Sequence, residues 1–200
     1  MAAALGQWVP PGNVVSGGET ERWRVGGCRP QAVAFPTDAD QVAAIVSAAA
    51  EEGWRVVPAG LGGWLDGAPG PGAETPTVVL STRRMNRILD YEPADLTLTA
   101  EAGVTLGAIQ AATARHNQWL PLDPGPDDRG TIGATLATAS AGSLAHAYGA
   151  PRDLALGLQV VTGAGRTLSP GGRVVKNVAG FDLVRLMVGG WGVLGVVAAG

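Results

Sequence analysis

Apolar residues recur with a helical period early in the chain. They occupy positions i, i+3, i+4 and i+7 of one stripe, which is the spacing of a helix face that packs on a core. These positions are Val42, Ile45, Val46 and Ala49. Thr37 and Asp40 have the spacing of a capping box, and Gly53 is a residue type that commonly ends helices. The pattern therefore predicts an amphipathic helix over residues 39–52.

Short apolar runs flank this helix and predict strands. Residues 32–35 precede it, and residues 54–57 follow it at once. A strand, a helix and a second strand within so short a span form a parallel crossover unit. Further strands are predicted at residues 77–80 and 96–100. The loop after residue 57 therefore lies at the carboxyl edge of a parallel sheet, where such sheets place ligands.

The pattern becomes antiparallel later in the chain. Residues 154–162 are predicted as a strand, Gly163 and Gly165 as part of a hairpin turn, and residues 166–168 as the start of the return strand. Helices are predicted at residues 106–116, capped by Thr105, and at residues 181–188.

The fold class that follows is α+β, divided near Gly103. Residues 30–103 form a small subdomain with the parallel βαβ unit, and residues 104–200 form a larger subdomain with antiparallel strands. Residues 1–29, with their prolines and glycines, are predicted as an irregular lead-in.

A glycine-rich stretch over residues 55–72 is the most unusual part of the first subdomain. Gly60, Gly62 and Gly63 follow a strand directly, so the backbone there can reach φ > 0 and approach a ligand closely. Further glycines and prolines up to Gly72 leave no helix for this loop to open, which argues against the dinucleotide fingerprint. Two interpretations stay open: a nest of backbone amides that binds phosphate, or an ordinary surface loop.

A second unusual segment covers residues 131–142 and contains almost no bulky side chain. Small residues over that length let the backbone lie against a flat surface. The alternative is a tightly packed crossing of a helix or strand. A third small-residue segment surrounds Gly192, and the three could converge on a cleft between the subdomains, which would suit a long cofactor with a pyrophosphate.

Composition excludes several function classes. Hydrophobic residues make up 46% and charged residues 16% of the chain, so disorder is not expected. With a net charge of −3 and Lys176 as the single lysine, the cations are spread out and no basic footprint for nucleic acid exists. Cys28 is the single cysteine, which excludes an internal disulfide, and His116 and His146 form no ligand-spaced cluster, so no metal site is expected.

No segment has the composition of a signal peptide or a transmembrane helix, because the apolar tail over residues 186–199 is short and glycine-rich. We therefore expect a cytoplasmic protein that reaches a membrane surface, if at all, through its partners.

The ordered series of motifs resembles one family. The segments that carry the resemblance are residues 58–66, 80–88, 95–104, 131–133, 148–153, 172–183 and 194–196. They resemble the FAD-binding domain of the vanillyl-alcohol oxidase/p-cresol methylhydroxylase (PCMH-type) flavoproteins, and look most like the FAD-binding subunit of glycolate oxidase and its 2-hydroxy-acid dehydrogenase relatives. The resemblance implies a PCMH-type fold with FAD between the two subdomains.

Carried over by position, the resemblance implies a set of cofactor-binding residues. Amides of residues 59–64 would bind the pyrophosphate, residues 125–131 would line the adenine or ribityl side, residues 138–142 would lie near the flavin ring, and residues 191–197 would add backbone contacts. The candidate residues are Pro58, Ala59, Gly60, Leu61, Gly62, Gly63, Trp64, Gly125, Thr131, Ile132, Gly133, Thr138, Ala139, Ser140, Gly142, Tyr148, Gly192, Gly195 and Val197.

Several positions depart from the family pattern. Gly63 replaces a Ser or Thr, Ala134 replaces a glycine, and Gly190 and Val193 have lost hydroxyls. Each missing hydrogen bond is expected to cost about 1 kcal/mol of cofactor affinity. No histidine lies in the glycine loop, where some members attach FAD, so the cofactor is expected to be non-covalent.

The resemblance implies two functions that stay open. In the first, the chain is the FAD domain of an oxidoreductase that takes hydride from a small 2-hydroxy acid. Family enzymes continue into a cap domain that this chain lacks, so the substrate site is expected on a cap or a partner subunit, within a hetero-oligomer of flavin and iron–sulfur subunits. No catalytic base is assigned: Tyr148 is a polar candidate or a packed turn residue, and Arg152 with Asp153 is expected to be structural.

In the second, the chain is a non-catalytic subunit, with or without FAD, that stabilises a larger flavoprotein complex. A hydrolase is not expected, because Ser140 and Ser143 lack the glycine-flanked nucleophile elbow.

Overall fold

The computed structural model describes residues 1–67, 70, 75–125, 130–172 and 181–200. Its helices are α1 (Ala2–Leu5), α2 (Ala39–Glu52), α3 (Leu106–Thr113), α4 (Ile132–Thr138), α5 (Ala145–Tyr148), α6 (Pro151–Leu154) and α7 (Leu183–Met187). Its strands are β1 (Val14–Ser16), β2 (Ala32–Ala34), β3 (Arg55–Ala59), β4 (Thr77–Ser81), β5 (Ile88–Glu92), β6 (Thr97–Ala100), β7 (Gln159–Thr162), β8 (Thr167–Leu168) and β9 (Gly195–Ala199). Short 3₁₀ turns cover Gly17–Trp23, Thr82–Arg84 and Ala114–His116.

The first sheet has the strand order β1-β2-β4-β3. Strands β2, β4 and β3 are parallel, with Val79 of β4 opposite both Val33 and Val57. The predicted parallel crossover is therefore confirmed, although β4 lies between the two strands that α2 connects. Strand β1 pairs antiparallel with β2 and lies within residues 1–29, where the sequence predicts only an irregular lead-in.

Helix α2 has the predicted bounds but a different cap. Asp38 is the N-cap residue, and its side chain accepts a hydrogen bond from the Gln41 backbone N–H at 2.8 Å. The Gln41 side chain in turn accepts from the Thr37 backbone N–H at 2.9 Å. The predicted pairing of Thr37 with Asp40 is thus wrong by one position, because Asp38 and Gln41 provide the reciprocal bonds.

The second part of the fold is antiparallel, as predicted. Strands β8, β7 and β9 form one sheet, and β5 pairs with β6 in another. The predicted hairpin after residue 162 is present, with Val161 of β7 opposite Thr167. The predicted strand start at residue 154 is wrong, because Pro151 begins helix α6 and the Asp153 side chain accepts from the Ala150 N–H at 3.0 Å.

Strand β9 joins the two parts of the core. Val196 and Ala198 pack in one buried cluster with helix α2 and the first sheet, while Val197 packs in a second cluster with helices α3 and α4. Ala100 and Gly200 exchange two backbone hydrogen bonds at 2.8 and 3.0 Å. The two buried clusters therefore meet at strand β9, which contributes side chains to both.

The predicted small-residue segment becomes helix α4, and the predicted helix near residue 181 becomes α7, capped by the Asp182 side chain. A Cβ at Gly133 would lie 2.8 Å from the Ala102 carbonyl oxygen, so only glycine allows this crossing. Among the described residues, the helices fall short of the length and apolar character that a bilayer crossing requires. Parts of three predicted cofactor or glycine segments, residues 68–69 and 71–74, 126–129 and 173–180, lie outside the described residues.

Candidate cofactor site

The site is built around the loop that follows β3. Gly60 stands immediately after the strand, and turns and bends continue to Gly67 without a helix. The Ser81 hydroxyl donates to the Gly60 carbonyl oxygen at 2.7 Å, and the Thr82 hydroxyl donates to the Ala59 carbonyl oxygen at 3.4 Å. These two bonds fix the loop's first carbonyls against the end of strand β4.

The N–H groups of the loop are left available. Within the described part of the chain, the backbone N–H groups of Leu61, Gly62, Gly63 and Trp64 donate to no protein acceptor. Gly62 has a φ of 94°, and a Cβ there would lie 3.2 Å from the Trp23 ring. Consecutive N–H groups in such a turn form a concave nest that favours an anion. This geometry supports the first of the two interpretations of the loop.

Helix α4 provides the opposite wall. Thr131 caps it by accepting from the Ala134 N–H at 3.3 Å. A Cβ at Gly60 would collide with the Thr131 side chain, so the loop and the helix approach each other only because Gly60 lacks a side chain. The helix face toward the cavity is made of small residues, which are Gly133, Ala134, Thr135, Ala137 and Thr138.

The segment between α7 and β9 provides a third wall. Gly192 has a φ of 75°, and a Cβ there would lie 2.9 Å from the Pro58 side chain. Gly195 packs closely on strand β7, because a Cβ at this position would lie 2.6 Å from the Val161 carbonyl oxygen. The three small-residue segments predicted to converge therefore do meet in space.

Together these walls enclose a cavity of about 620 Å³, here called the first cavity. It is lined by most of the candidate residues, which are Pro58, Ala59, Gly60, Leu61, Gly62, Gly63, Trp64, Gly125, Thr131, Gly133, Thr138, Gly192, Gly195 and Val197. A volume of this size is typical of a pocket for a large organic ligand.

Five candidate residues lie elsewhere. Ile132 faces another cavity of about 710 Å³, here called the second cavity, which apolar side chains of β6, α3 and residues 118–122 line. Ala139 follows α4 with a φ of 51°, and the Ser140 hydroxyl donates to the Pro124 carbonyl oxygen at 3.3 Å. The Gly142 N–H donates to the Asp123 carboxylate at 3.0 Å, and Tyr148 makes an edge-to-face contact with Trp119 at 5.1 Å. None of these five is among the described residues that line the first cavity.

Sequence reasoning also missed several lining residues. These are Val57, Leu65, Thr82, Pro124, Ala134, Thr135 and Ala137, whereas Gly130, Trp191 and Val196 fall within segments that were expected to contribute contacts. Helical periodicity from Thr131 would have identified Ala134 and Thr135, since they stand at i+3 and i+4, in addition to the candidate Thr138 at i+7.

A family comparison decides the class of ligand. Residues 30–170 match the family described as the FAD binding domain. This chain belongs to the FAD-binding domain family. The predicted family and FAD as the cofactor are therefore confirmed.

The relatives of this FAD-binding domain are flavin-linked oxidoreductases. It is 36% identical over 178 residues to a D-2-hydroxyglutarate dehydrogenase of Xanthomonas citri, which covers 89% of this chain and 37% of the relative. It is 37% identical over 169 residues to the glycolate oxidase subunit GlcD of Bacillus subtilis, with 84% and 35% covered. It is 43% identical over 119 residues to the glycolate oxidase subunit GlcE of Escherichia coli, with 59% and 34% covered. The chain thus spans little more than a third of these relatives.

Solved structures support the fold of the FAD-binding domain. An alkyldihydroxyacetonephosphate synthase matches with a TM-score of 0.84 and 21% identity, covering 98% of this chain and 38% of that one. The glucose dehydrogenase Phl p 4.0202 matches with a TM-score of 0.76 and 18% identity, covering 98% and 42%. The predicted PCMH-type α+β architecture is confirmed.

The chemistry of the first cavity fits FAD. Its described lining carries no ionisable side chain, and the polar groups of its residues are backbone amides, threonine hydroxyls and the indole N–H groups of Trp64 and Trp191. Cations lie nearby at the carboxyl edge of the first sheet: the Arg83 guanidinium lies 4.2 Å from the centre of the Phe35 ring, and Arg22 lies 5.3 Å from that of Trp23, the ring that Gly62 contacts. Burial, and then repulsion from Arg22 and Arg84, lowers the pKa of Arg83 from its ordinary value. The fold thus brings Arg22 close to Arg83, although these two arginines are far apart in the sequence.

The Asp123 side chain connects residues 142–144 to the segment that lies between the two cavities. Its carboxylate accepts hydrogen bonds from the N–H groups of Gly142 and Leu144 at 3.0 and 3.1 Å and from the Ser143 hydroxyl at 3.3 Å. Desolvation raises the pKa of Asp123, but these hydrogen bonds outweigh it, so the pKa falls below its ordinary value of 3.8. The described residues contain no group of three or more His, Cys, Asp or Glu that could hold a metal ion.

Proposed function

We propose that this domain holds FAD non-covalently in the first cavity and serves an oxidoreductase that oxidises a small 2-hydroxy acid. The observation that carries the proposal is the loop of residues 61–64, whose backbone amides are unpaired and whose residues line a cavity of about 620 Å³ together with small-residue walls. Relatives named for D-2-hydroxyglutarate, glycolate and D-lactate support the substrate class.

In this proposal the chain's residues bind and orient the cofactor. The N–H groups of residues 61–64 hold the pyrophosphate, and the small face of α4 lets a flat ring approach the helix. When bound, FAD accepts a hydride equivalent from the substrate. The aliphatic side chains of Val57, Leu65 and Val196 exclude water from this space.

The remaining chemistry belongs to other segments in this proposal. Since the described lining offers no ionisable group, we assign the catalytic base and the substrate-binding residues to a cap domain or a partner subunit. We also propose that residues 30–103 and 104–200 are the two subdomains on either side of FAD, preceded by the segment 1–29. The relatives GlcD and GlcE are named as subunits, which supports a hetero-oligomer. We further propose that its other subunits carry flavin and iron–sulfur centres.

An absorbance spectrum between 300 and 550 nm, before and after addition of FAD and desalting, tests cofactor binding. We expect a flavin band that survives desalting and is released by acid. Bleaching of that band by glycolate, D-lactate or D-2-hydroxyglutarate, once partner subunits are added, then tests the substrate class. A chain that retains no flavin would contradict the proposal.

A second function is a non-catalytic subunit, holding FAD or lacking it, within a larger flavoprotein complex. The lack of ionisable side chains in the described lining and the similarity to a glycolate oxidase subunit favour it. A flavin that is retained but never bleached by any 2-hydroxy acid, even in the assembled complex, would support this function over the first.

A further inference from the structure

Two tryptophans from different walls meet at the first cavity. Trp64 lies in the glycine loop after β3, and Trp191 lies in the segment between α7 and β9. Their ring centres are 5.7 Å apart, and their planes cross at 84°. Both residues line the cavity. This edge-to-face contact therefore joins two of its three walls.

The pair does not serve the core. Trp64 is 47% exposed and Trp191 is 55% exposed, and neither packs in the buried clusters of the described residues. An indole normally buries a large apolar area, so exposing two of them together forfeits stabilisation that the fold could otherwise gain. Such exposure is expected where a ligand covers the rings.

The backbone at Trp191 is strained to hold its ring there. Its φ of 52° lies in the left-handed region, which bulky residues rarely adopt. The Trp191 N–H donates to the Ala137 carbonyl oxygen at 2.8 Å, and the Gly189 N–H donates to the Leu136 carbonyl oxygen at 3.0 Å. These bonds fasten the segment to the end of helix α4, so the strained conformation is imposed by the surroundings. Strain of this kind concentrates at ligand-binding sites.

We propose that Trp64 and Trp191 form an aromatic latch that covers one of the two flat ring systems of bound FAD and slows its release. The proposal rests on FAD binding in the first cavity, as proposed above. The pair works as a unit, because each ring is the lateral support of the other and each belongs to a different wall. Release of the cofactor then requires the two walls to separate.

A double-mutant cycle on the rate of FAD release tests the latch. FAD is bound to the whole chain and released into an excess of an apoprotein that binds FAD tightly, such as apo-D-amino-acid oxidase, and the recovery of tryptophan emission is followed as well. We expect Trp64→Ala and Trp191→Ala each to speed release about 5- to 20-fold. The double variant should release FAD at about the rate of the faster single variant, because the second ring cannot hold the cofactor alone.

Trp119→Ala is the matched control. Trp119 is 49% exposed and also makes an edge-to-face contact, with Tyr148 at 5.1 Å, but it lines the second cavity. Its removal should leave the release rate unchanged. Wild-type release from either latch variant, or single effects that simply multiply in the double variant, would overturn the latch.

The variant Trp191→Gly distinguishes the loss of the indole ring from the relief of backbone strain at this position. Glycine adopts the left-handed region freely, so this variant should unfold at a higher temperature than Trp191→Ala while releasing FAD at least as fast. Equal melting temperatures for the two variants would overturn the assignment of strain. A wild-type chain that binds no FAD would instead refute the proposed function, and the latch with it, whereas a wild-type chain that binds FAD and variants that match it refute the latch alone.

Discussion

The two cavities of this fold have similar sizes but different walls. The first, of about 620 Å³, is bounded by glycines, alanines and threonines and by unpaired loop amides. The second, of about 710 Å³, is bounded largely by leucine, proline and aromatic side chains around β6 and α3. The smaller cavity is the one that most of the candidate cofactor residues line.

We infer from this difference that the unpaired loop amides of the first cavity, rather than its volume, select the cofactor. A wall of large side chains covers much of its own backbone N–H and C=O groups. A wall of glycines presents N–H groups directly and allows close approach. Four substitutions test this contrast, from the largest expected effect to the smallest.

Ile109→Ala should show that the second cavity's wall is part of the core. Ile109 is 1% exposed and lines that cavity, so the truncation should lower the free energy of unfolding by about 2–5 kcal/mol. Denaturant unfolding measures the loss, and FAD bound per folded molecule should be unchanged. The control is Leu96→Ala on the same wall, where Leu96 is 76% exposed and the change should be within about 0.5 kcal/mol. Weaker FAD binding by folded Ile109→Ala would break the contrast.

Gly60→Ala should damage the first cavity itself. The new Cβ would collide with the Thr131 side chain, which is expected to cost about 1–3 kcal/mol of stability and to displace the loop from helix α4. Flavin retained after desalting should fall together with the melting temperature. Gly63→Ala is the matched control in the same loop, because a Cβ at Gly63 would meet nothing within 4 Å. A Gly60→Ala chain that retains flavin normally would show that this close approach is unnecessary.

Gly63→Ser should restore a hydrogen bond that the chain lacks. The open space at Gly63 accommodates the side chain, and the added hydroxyl is expected to tighten FAD binding about fivefold, from a net gain of about 1 kcal/mol. Titration followed by quenching of flavin fluorescence measures the dissociation constant. If Gly63→Ala tightens binding equally, the gain does not come from the hydroxyl.

Asp123→Asn should change the stability of the segment between the cavities, where Leu122 lines the second cavity and Pro124 lines the first. Because hydrogen bonds lower the pKa of Asp123 in the fold, its carboxylate stabilises the folded state at pH values above 3.8, the ordinary pKa of this group. That contribution is lost as the pH falls from 3.8 through the lowered pKa. The difference in unfolding free energy between wild type and Asp123→Asn should therefore shrink as the pH is lowered from 7 toward that range. A difference that stays constant with pH would contradict this role.

Much of the fold follows from local sequence patterns. The apolar stripe of α2 and the β-branched run of β4 agree with their burial, so periodicity locates both. Strand β1 could not be located in this way, because its three residues are too few to show alternation and owe their pairing to β2. The same applies to residue 154, where the apolar pattern of a strand also suits the helical turn that Pro151 begins.

The site was predictable where glycine was required and less so elsewhere. Gly60 and Gly192 reveal close approaches through their residue type alone, whereas Thr82 and Pro124 line the cavity only because distant segments bring them there. Ser140 and Gly142 were expected near the flavin ring, yet hydrogen bonds to Pro124 and Asp123 tie them to the preceding segment. The hydroxyl of Ser140 predicts a polar contact, but the sequence alone does not identify the group that it contacts.

The position of β9 has a consequence for how the chain acquires its structure. This last strand supplies Val196 and Ala198 to one buried cluster and Val197 to the other, and its neighbours Ala100 and Val161 are far away in the sequence. Neither cluster can close until it arrives, so most native burial must wait for the closure of long loops. A nascent chain that lacks these residues would expose both apolar faces at once, and chaperones would need to protect it until residues 195–199 are synthesised.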